Sequence, residues 1–507
     1  MNSSDRLEPL RAALAEISDL ATAQANLQWD YQVVMPPRGA GLRAEEMATI
    51  EKLVHEKATA PSLGTLLEQA AGSANGDDPE SDDAALVRVA QRDYDKAVRV
   101  PTELQGELVR AGALGHEAWL EARRQKDWSI FQPHLANMLE LKRRYVECFP
   151  EVDDPYDALL DDYEPRMKTA EVARVFEQLK AELVPLVKAI TDKGDAIDAS
   201  CLHGEGAFPR DRQEQLIRLV LERIGFDPAG WRLDVAVHPF ATGLGSRDIR
   251  ITTRYDESYL AGAFFGAMHE CGHGLYEEGS DPALERTPLR GGVSLGLHES
   301  QSRMWENLVG RSRPFAGWVL PRMQEAFPAQ FGDVDAEGFF RAVNQVKRSL
   351  IRVESDEVTY CLHVILRFEL EQEMLAGSVD LGELPEIWNQ RMRDYLGIDV
   401  PDVVQGVLQD VHWSEGIIGY FPTYALGNVI SAQIWEAVRA ENTDLDDQIA
   451  AGEFAPLRGW LREHLHRHGR KFLPAEMIER VSGKPLDVGP YLAYLKGKFG
   501  PIYGLAD

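Results

Sequence analysis

The sequence predicts a mainly helical fold, a large helical body with a small β-sheet beside one helix that carries metal-ligand chemistry. Three observations lead there. Apolar residues recur three and four apart over most of the 507 residues, the signature of amphipathic helices. Alternation typical of strands is confined to two short stretches between positions 231 and 255. The segment His269-Glu-Cys-Gly-His273 lies on an apolar stripe of helical spacing: Leu260, Phe264, Met268, Cys271 and Leu275.

Taken in order, Leu7, Leu10, Leu14, Ile17 and Leu20 predict a helix over 5–30, and a second helical stretch covers 40–71. The polar, acidic segment 71–83 is a surface loop. Amphipathic stretches follow at 84–99, 101–125 and 129–148. Residues 150–168 hold three prolines and many acids, which predicts a loop with a short helical turn; helices resume over 169–193 and 209–225. Trp231–Val237 and Asp248–Tyr255 alternate apolar and polar residues, with HPFATGLGS between them, and read as a small antiparallel hairpin or sheet just before the metal-binding helix. There is no internal repeat and no strand–helix alternation, so residues 1–507 are taken as one catalytic unit, with an N-terminal helical portion over about 1–200 and a metal-site portion over about 230–430.

A formal charge of -28, from 82 acidic and 54 basic side chains, repels phosphate backbones and anionic lipid, so neither nucleic acid nor membrane is an expected partner. The four cysteines form no CxxC pair and suggest no disulfide framework. The first twenty residues carry charges throughout and no signal-peptide core, and no apolar run is long enough for a membrane span. A cytoplasmic setting follows as the expectation.

His269 and His273 are four apart, which on a helix places both imidazoles on one face within reach of one ion. Glu270 projects toward the edge of that face, where it can touch a metal-bound water without ligating the metal. The spacing therefore supplies two nitrogen ligands and one general base. A catalytic site needs a third ligand. Gly291–Ser312 predicts a return helix, with Val293, Leu297, Met304 and Leu308 at helical spacing, and Glu299 lies 26 residues after His273. Glu299 completes a His2Glu zinc set; His298 is the rival ligand and Glu306 a weaker one. Gln301, Ser302 and Arg303 are candidates for orienting the ligands, and Cys271 belongs to the core stripe.

These residues, together with others, resemble the carboxypeptidase Taq family of metallocarboxypeptidases (peptidase family M32). The likeness runs from WDYQVVMPP at 29–37 and YDALLDDYEP at 156–165 to HPF at 238–240 and DIRIT at 248–252. It continues through HECGH, HESQSRMWEN at 298–307, IRVESDEVTYCLHVILRFELE at 351–371, GVLQDVHW at 406–413 and GYFPTYALGN at 419–428. The metal and base positions show no departure from the family pattern.

The resemblance implies a neurolysin-like helical body with a deep active-site groove. It implies removal of single residues from free peptide C-termini with broad specificity, resistance to a terminal proline, zinc with cobalt able to substitute, and a homodimer. It suggests His412 and Tyr420 as donors near the reacting carbonyl, and His238, Asp248 and Arg250 as closing the groove. A carboxypeptidase must also hold the substrate's terminal carboxylate, for which arginine is best suited. The candidates are Arg352 and Arg348, four apart and so expected on one helical face, with Arg352 ranked first by the family motif. Helix-surface pairing of Arg352 with Asp356 is the plain alternative. Asp248 and Arg250 share a strand face and can simply pair, and Trp413 and Phe421 are read as core. An endopeptidase or oligopeptidase on the same scaffold is the rival activity; a carboxylate clamp near the metal separates the two.

Overall fold

The computed structural model describes residues 3–74, 78–194 and 196–505, and these are helical almost throughout, with one three-stranded sheet. The first layer is Ser3–Val33, Ala40–Ala58, Pro61–Ala74 and Asp82–Arg99. The stretch expected as one helix over 40–71 is two, because Pro61 lacks an N–H and disfavours helical geometry in the residue before it. Residues 75–77 of the acidic loop lie outside the described residues. This layer has a core of its own, in which Leu7, Leu10, Leu14, Leu67 and Leu86 meet Leu284 and Leu289, which follow the Leu260–Gly279 helix in the chain.

Thr102–Gln125 and Trp128–Glu147 pack against each other and turn through Lys126, whose φ of 56° closes the first helix in the left-handed conformation. The 150–168 segment contains the short helix Pro155–Leu160, as its composition predicts, and Thr169–Thr191 and Arg210–Ile224 follow. The main core draws buried residues from Ala122 to Tyr503.

The sheet differs from the expected antiparallel hairpin. Its order is β1 (Trp231–Val235), β3 (Asp248–Thr253), β2 (Ala241–Gly245). β1 runs parallel to β3, with Trp231 opposite Ile249 and Leu233 opposite Ile251. β2 forms inside the HPFATGLGS stretch between the two predicted strands and pairs antiparallel to β3, with an irregularity at Gly243/Gly245. Its two glycines hid the alternation, and this third strand carries the chain back so that β3 can align with β1. Ile249 and Ile251 are buried and pack toward the Leu260–Gly279 helix. Among the described residues no helix is long and apolar enough to cross a membrane, and all four cysteines are free.

Candidate metal centre and its surroundings

Three helices close on one point. Leu260–Gly279 carries His269, Glu270 and His273; Leu295–Arg303 carries Glu299 and runs on into a π-helical turn, Met304–Val309; Phe421–Glu441 packs across the latter. The approach is close enough to require glycine. A Cβ on Gly272 would lie 2.6 Å from the Gln301 carbonyl oxygen, and one on Gly427 would lie 2.5 Å from Cγ of Glu299.

At that point Nε2 of His269 and Nε2 of His273 each stand 3.5 Å from Oε2 of Glu299. The three donor atoms lie within 4.8 Å of one another, a set able to hold a metal ion. Glu299 is 6% exposed, so it is not a surface ion-pair residue.

A second ring of polar groups fixes this set. Arg303 donates from Nε to Glu299 Oε1 at 2.7 Å, and the Ser302 hydroxyl donates to Glu299 Oε2 at 3.1 Å. Glu306 Oε2 is 2.9 Å from Nδ1 of His269. His298 Nδ1 is 2.6 Å from Nδ1 of His273, and His298 Nε2 is 2.9 Å from Glu277 Oε1. His298 and Glu306, the rival ligands, therefore orient the two imidazoles from behind; the crossing of the two helices carries them past the donor point. Gln301 does not take the orienting role expected of it: its amide bonds the Ser300 hydroxyl and accepts from the buried His466.

Burial and neighbouring charges move the titrating groups of the site in different directions. Burial opposes charge on His269, yet Glu299 and Glu306 raise it to about 10. His273 moves the other way, to about 4, through burial and the neighbouring histidines. Burial pushes Glu270 up to about 7, with Glu299 and Glu306 adding to the effect and His269 opposing it. Burial also raises Cys271, which is fully enclosed and belongs to the core as its position in the stripe predicts.

Arg352 and Arg348 are not on one helical face. Residues 345–351 are irregular or bent, and Arg352 opens a single 3-10 turn. Arg348 donates to the Gly397 carbonyl at 2.9 Å, at the end of the Leu384–Leu396 helix. Arg352 is buried; Nη2 and Nε donate to Asp410 Oδ1 at 2.9 and 3.1 Å, and Nη1 donates to the Tyr360 hydroxyl at 2.9 Å. Asp410 also accepts from Nε of Arg367 at 2.7 Å. The alternative pairing of Arg352 with Asp356 is not formed: Asp356 accepts from Lys347, Val358 and Thr359. The Tyr360 ring is covered by Arg303 at 4.5 Å, so it joins the Arg352 cluster to the residue that grips Glu299.

His412 Nε2 is 3.2 Å from the Tyr424 hydroxyl, and its ring centroid is 5.6 Å from that of Tyr420. Burial and the charge of Glu299 raise Tyr420 to about 12, which keeps its proton in place. Trp413 and Phe421 are buried as core, and Trp413 donates to Glu371 Oε1 at 2.8 Å. His238 is exposed. Asp248 and Arg250 pair at 2.8 and 2.9 Å along β3. Arg250 also donates to Asn26 Oδ1 at 2.9 Å and lies 4.5 Å from the Trp29 ring, tying the sheet to the first helix.

Sequence reasoning missed Glu277, Asp410, Arg367, Tyr360 and Tyr424. A signal existed for Glu277, which extends the His269–His273 step of four by one more turn. Asp410 is 58 residues from Arg352, and no local pattern connects them.

Residues 9–499 match the carboxypeptidase Taq (M32) metallopeptidase family. Thermostable carboxypeptidase 1 of Thermus thermophilus is 42% identical over 498 residues, covering 96% of this chain and 97% of its own. Carboxypeptidase 1 of Bacillus subtilis is 38% identical over 490 residues, covering 97% of each. The crystal structure of the M32 carboxypeptidase from Deinococcus radiodurans R1 superposes with a TM-score of 0.95 at 42% identity, covering 99% of this chain and 100% of its own. This chain therefore belongs to the carboxypeptidase Taq (M32) family and is a metallocarboxypeptidase.

Proposed function

We propose that this metallocarboxypeptidase is a zinc enzyme that releases single residues from free peptide C-termini with broad specificity, with Glu270 as its general base. The observation that carries the reading is the donor set: two imidazole nitrogens and one carboxylate oxygen converge within 4.8 Å beside a buried carboxyl. Three protein donors of this kind suit a catalytic zinc with an open position rather than a closed structural one, and cobalt fits the same ligands. When bound, the metal supplies Lewis acidity that activates water and polarises the scissile carbonyl.

The chain's own residues do the rest. His269, His273 and Glu299 hold the ion, and Glu306 and His298 keep the imidazoles in their ligating orientation. Glu270 takes a proton from water and delivers it to the leaving amine. His412 and Tyr420 donate to the developing oxyanion. Arg352 receives the terminal carboxylate: Asp410 is shared between Arg352 and Arg367, so the trio carries one positive charge in excess, which an anionic C-terminus neutralises. Arg348, bonded elsewhere, is not assigned this role. In this reading His238, Asp248 and Arg250 help to close the groove and limit the length of substrate admitted, and a terminal proline is a poor substrate. The whole chain forms one catalytic unit with a neurolysin-like body, acts as a homodimer in the cytoplasm and binds no nucleic acid.

The test is a timed mass-spectrometric digest of an unblocked peptide and its C-terminally amidated twin, with and without chelator. Stepwise loss from the free acid alone, abolished by chelator and restored by zinc, supports the reading. Internal cuts in both peptides would mean an oligopeptidase and remove Arg352 from its role.

A further inference from the structure

The helix that carries Glu299 is capped from far away in the chain. Leu295–Arg303 is nine residues long, and its first four N–H groups have no acceptor in the helix itself. Each nevertheless has a partner. Leu297 donates to Ser294 Oγ at 3.1 Å and His298 to the Ser294 carbonyl at 3.0 Å, as an N-cap serine provides. Leu295 donates to the Tyr163 carbonyl at 3.1 Å, and Gly296 donates to Oε1 of Glu164, which lies 132 residues upstream. Glu164 is fully buried and fills the space beside Gly296: a Cβ there would sit 2.8 Å from Oε1. Burial pushes the Glu164 carboxyl up to about 7, and the bonds donated by Ser294 and the Gly296 N–H oppose that shift.

The loop that brings Glu164 in is itself anchored. The Arg166 N–H donates to Asp161 Oδ1 at 2.7 Å, and Asp161 is held by Arg92 at 2.7 Å and Lys96 at 2.6 Å, both from the Asp82–Arg99 helix. Tyr163 stacks edge-on against Tyr420 at 5.1 Å. One short loop thus touches both the metal-ligand helix and a residue assigned to the reacting carbonyl.

We infer that Glu164 is a positioning residue of the metal centre: through the Gly296 N–H it sets the axial position of the Leu295–Arg303 helix, and with it the reach of Glu299 and His298 toward His273 and His269. Metal–ligand distances tolerate only about 0.2 Å. The rise of a helix is about 1.5 Å per residue, so a slip of a fraction of one residue is enough to misplace Glu299. The inference rests on the reading that His269, His273 and Glu299 hold the metal.

The experiment compares E164D, E164Q and E299Q with the wild type by zinc affinity in chelator competition and by the visible spectrum of the cobalt-loaded protein. Circular dichroism of the metal-free proteins checks folding. Glu164→Asp keeps the carboxyl group and loses the reach, so it should weaken zinc by about tenfold or more and change the cobalt bands. Glu164→Gln keeps an acceptor oxygen at full reach and should stay within about threefold of wild type, with wild-type bands. Wild-type zinc affinity in E164D, or equal damage in E164Q and E164D, overturns the inference. If E164D does not fold, G296A tests the contact from the other side, because its Cβ displaces Oε1; unchanged zinc affinity there overturns it equally. E299Q separates the two levels: wild-type zinc affinity in E299Q removes the metal-site reading itself, whereas loss in E299Q without loss in E164D removes only the role of Glu164.

Discussion

Glu306 stands with Oε2 2.9 Å from Nδ1 of His269, while its other oxygen accepts from Arg311 at 3.1 Å. A carboxylate behind a ligating imidazole fixes the ring and its tautomer and raises the basicity of the nitrogen that faces the metal. Glu306→Ala should therefore weaken metal binding by about 10- to 100-fold with the fold retained. Chelator competition measures this directly, and an unchanged dissociation constant would show that the contact orients nothing.

Glu270 is buried at the edge of the ligand face and donates no atom to the metal set. Glu270→Gln should keep the metal and lose hydrolysis by at least about 100-fold, the usual worth of a positioned base. Metal content by mass spectrometry, read beside the rate on an unblocked peptide, checks both halves. Surviving activity would assign the base elsewhere.

Asp410 bridges two buried guanidinium groups, and nearby Arg352 and Arg367 hold its carboxyl well below the usual carboxylate range against the opposing effect of burial. Asp410→Asn leaves both cations without a counter-charge. Urea unfolding should show a loss of about 3–5 kcal/mol, the scale set by breaking buried ion pairs. Arg352→Gln should instead act on substrate: KM for the free-acid peptide rises, while Arg348→Gln leaves it near wild type. Equal effects of the two arginine substitutions would contradict their different surroundings.

Glu371 is enclosed, and burial pushes its carboxyl from 4.5 up to about 7 despite hydrogen bonds donated by the Tyr156 hydroxyl at 2.6 Å, Trp413 Nε1 at 2.8 Å and the Gly419 N–H at 3.0 Å. The folded state thus binds the proton more tightly than the unfolded chain. Its stabilising contribution is full below pH 4.5 and is lost as pH rises to about 7. Between pH 5 and 8 the wild type should lose on the order of 2 kcal/mol more stability than E371Q. Urea melts at the two pH values give the difference, and parallel losses in both proteins would show that Glu371 titrates normally.

Much of this was legible because it is local. The helical periodicity, the short helix within 150–168 and the presence of a small sheet near 231–255 follow from side-chain pattern alone. The sheet's topology did not follow, because strand pairing depends on which segments meet, and the glycines of β2 carry no alternation to read. The helix expected across Arg348 and Arg352 failed for a similar reason. Asp410, Tyr360 and the Gly397 carbonyl draw the two arginines apart, and none of these is near them in sequence.

By itself the sequence determined a helical protein with two imidazoles on one helix face and an acid at the edge of that face, and the need of a catalytic metal for a third ligand pointed to Glu299 as their expected companion. Spacing of four along a helix is a geometric fact that needs no tertiary contact. Only the tertiary structure decided what surrounds that face: Glu306 and His298 behind the imidazoles, Asp410 between two arginines and Glu164 at the head of the Glu299 helix. The contacts of Glu306 and His298 arise beside the close helix crossings at Gly272 and Gly427, and all of these contacts join segments distant in the chain, which is a property of packing rather than of local pattern.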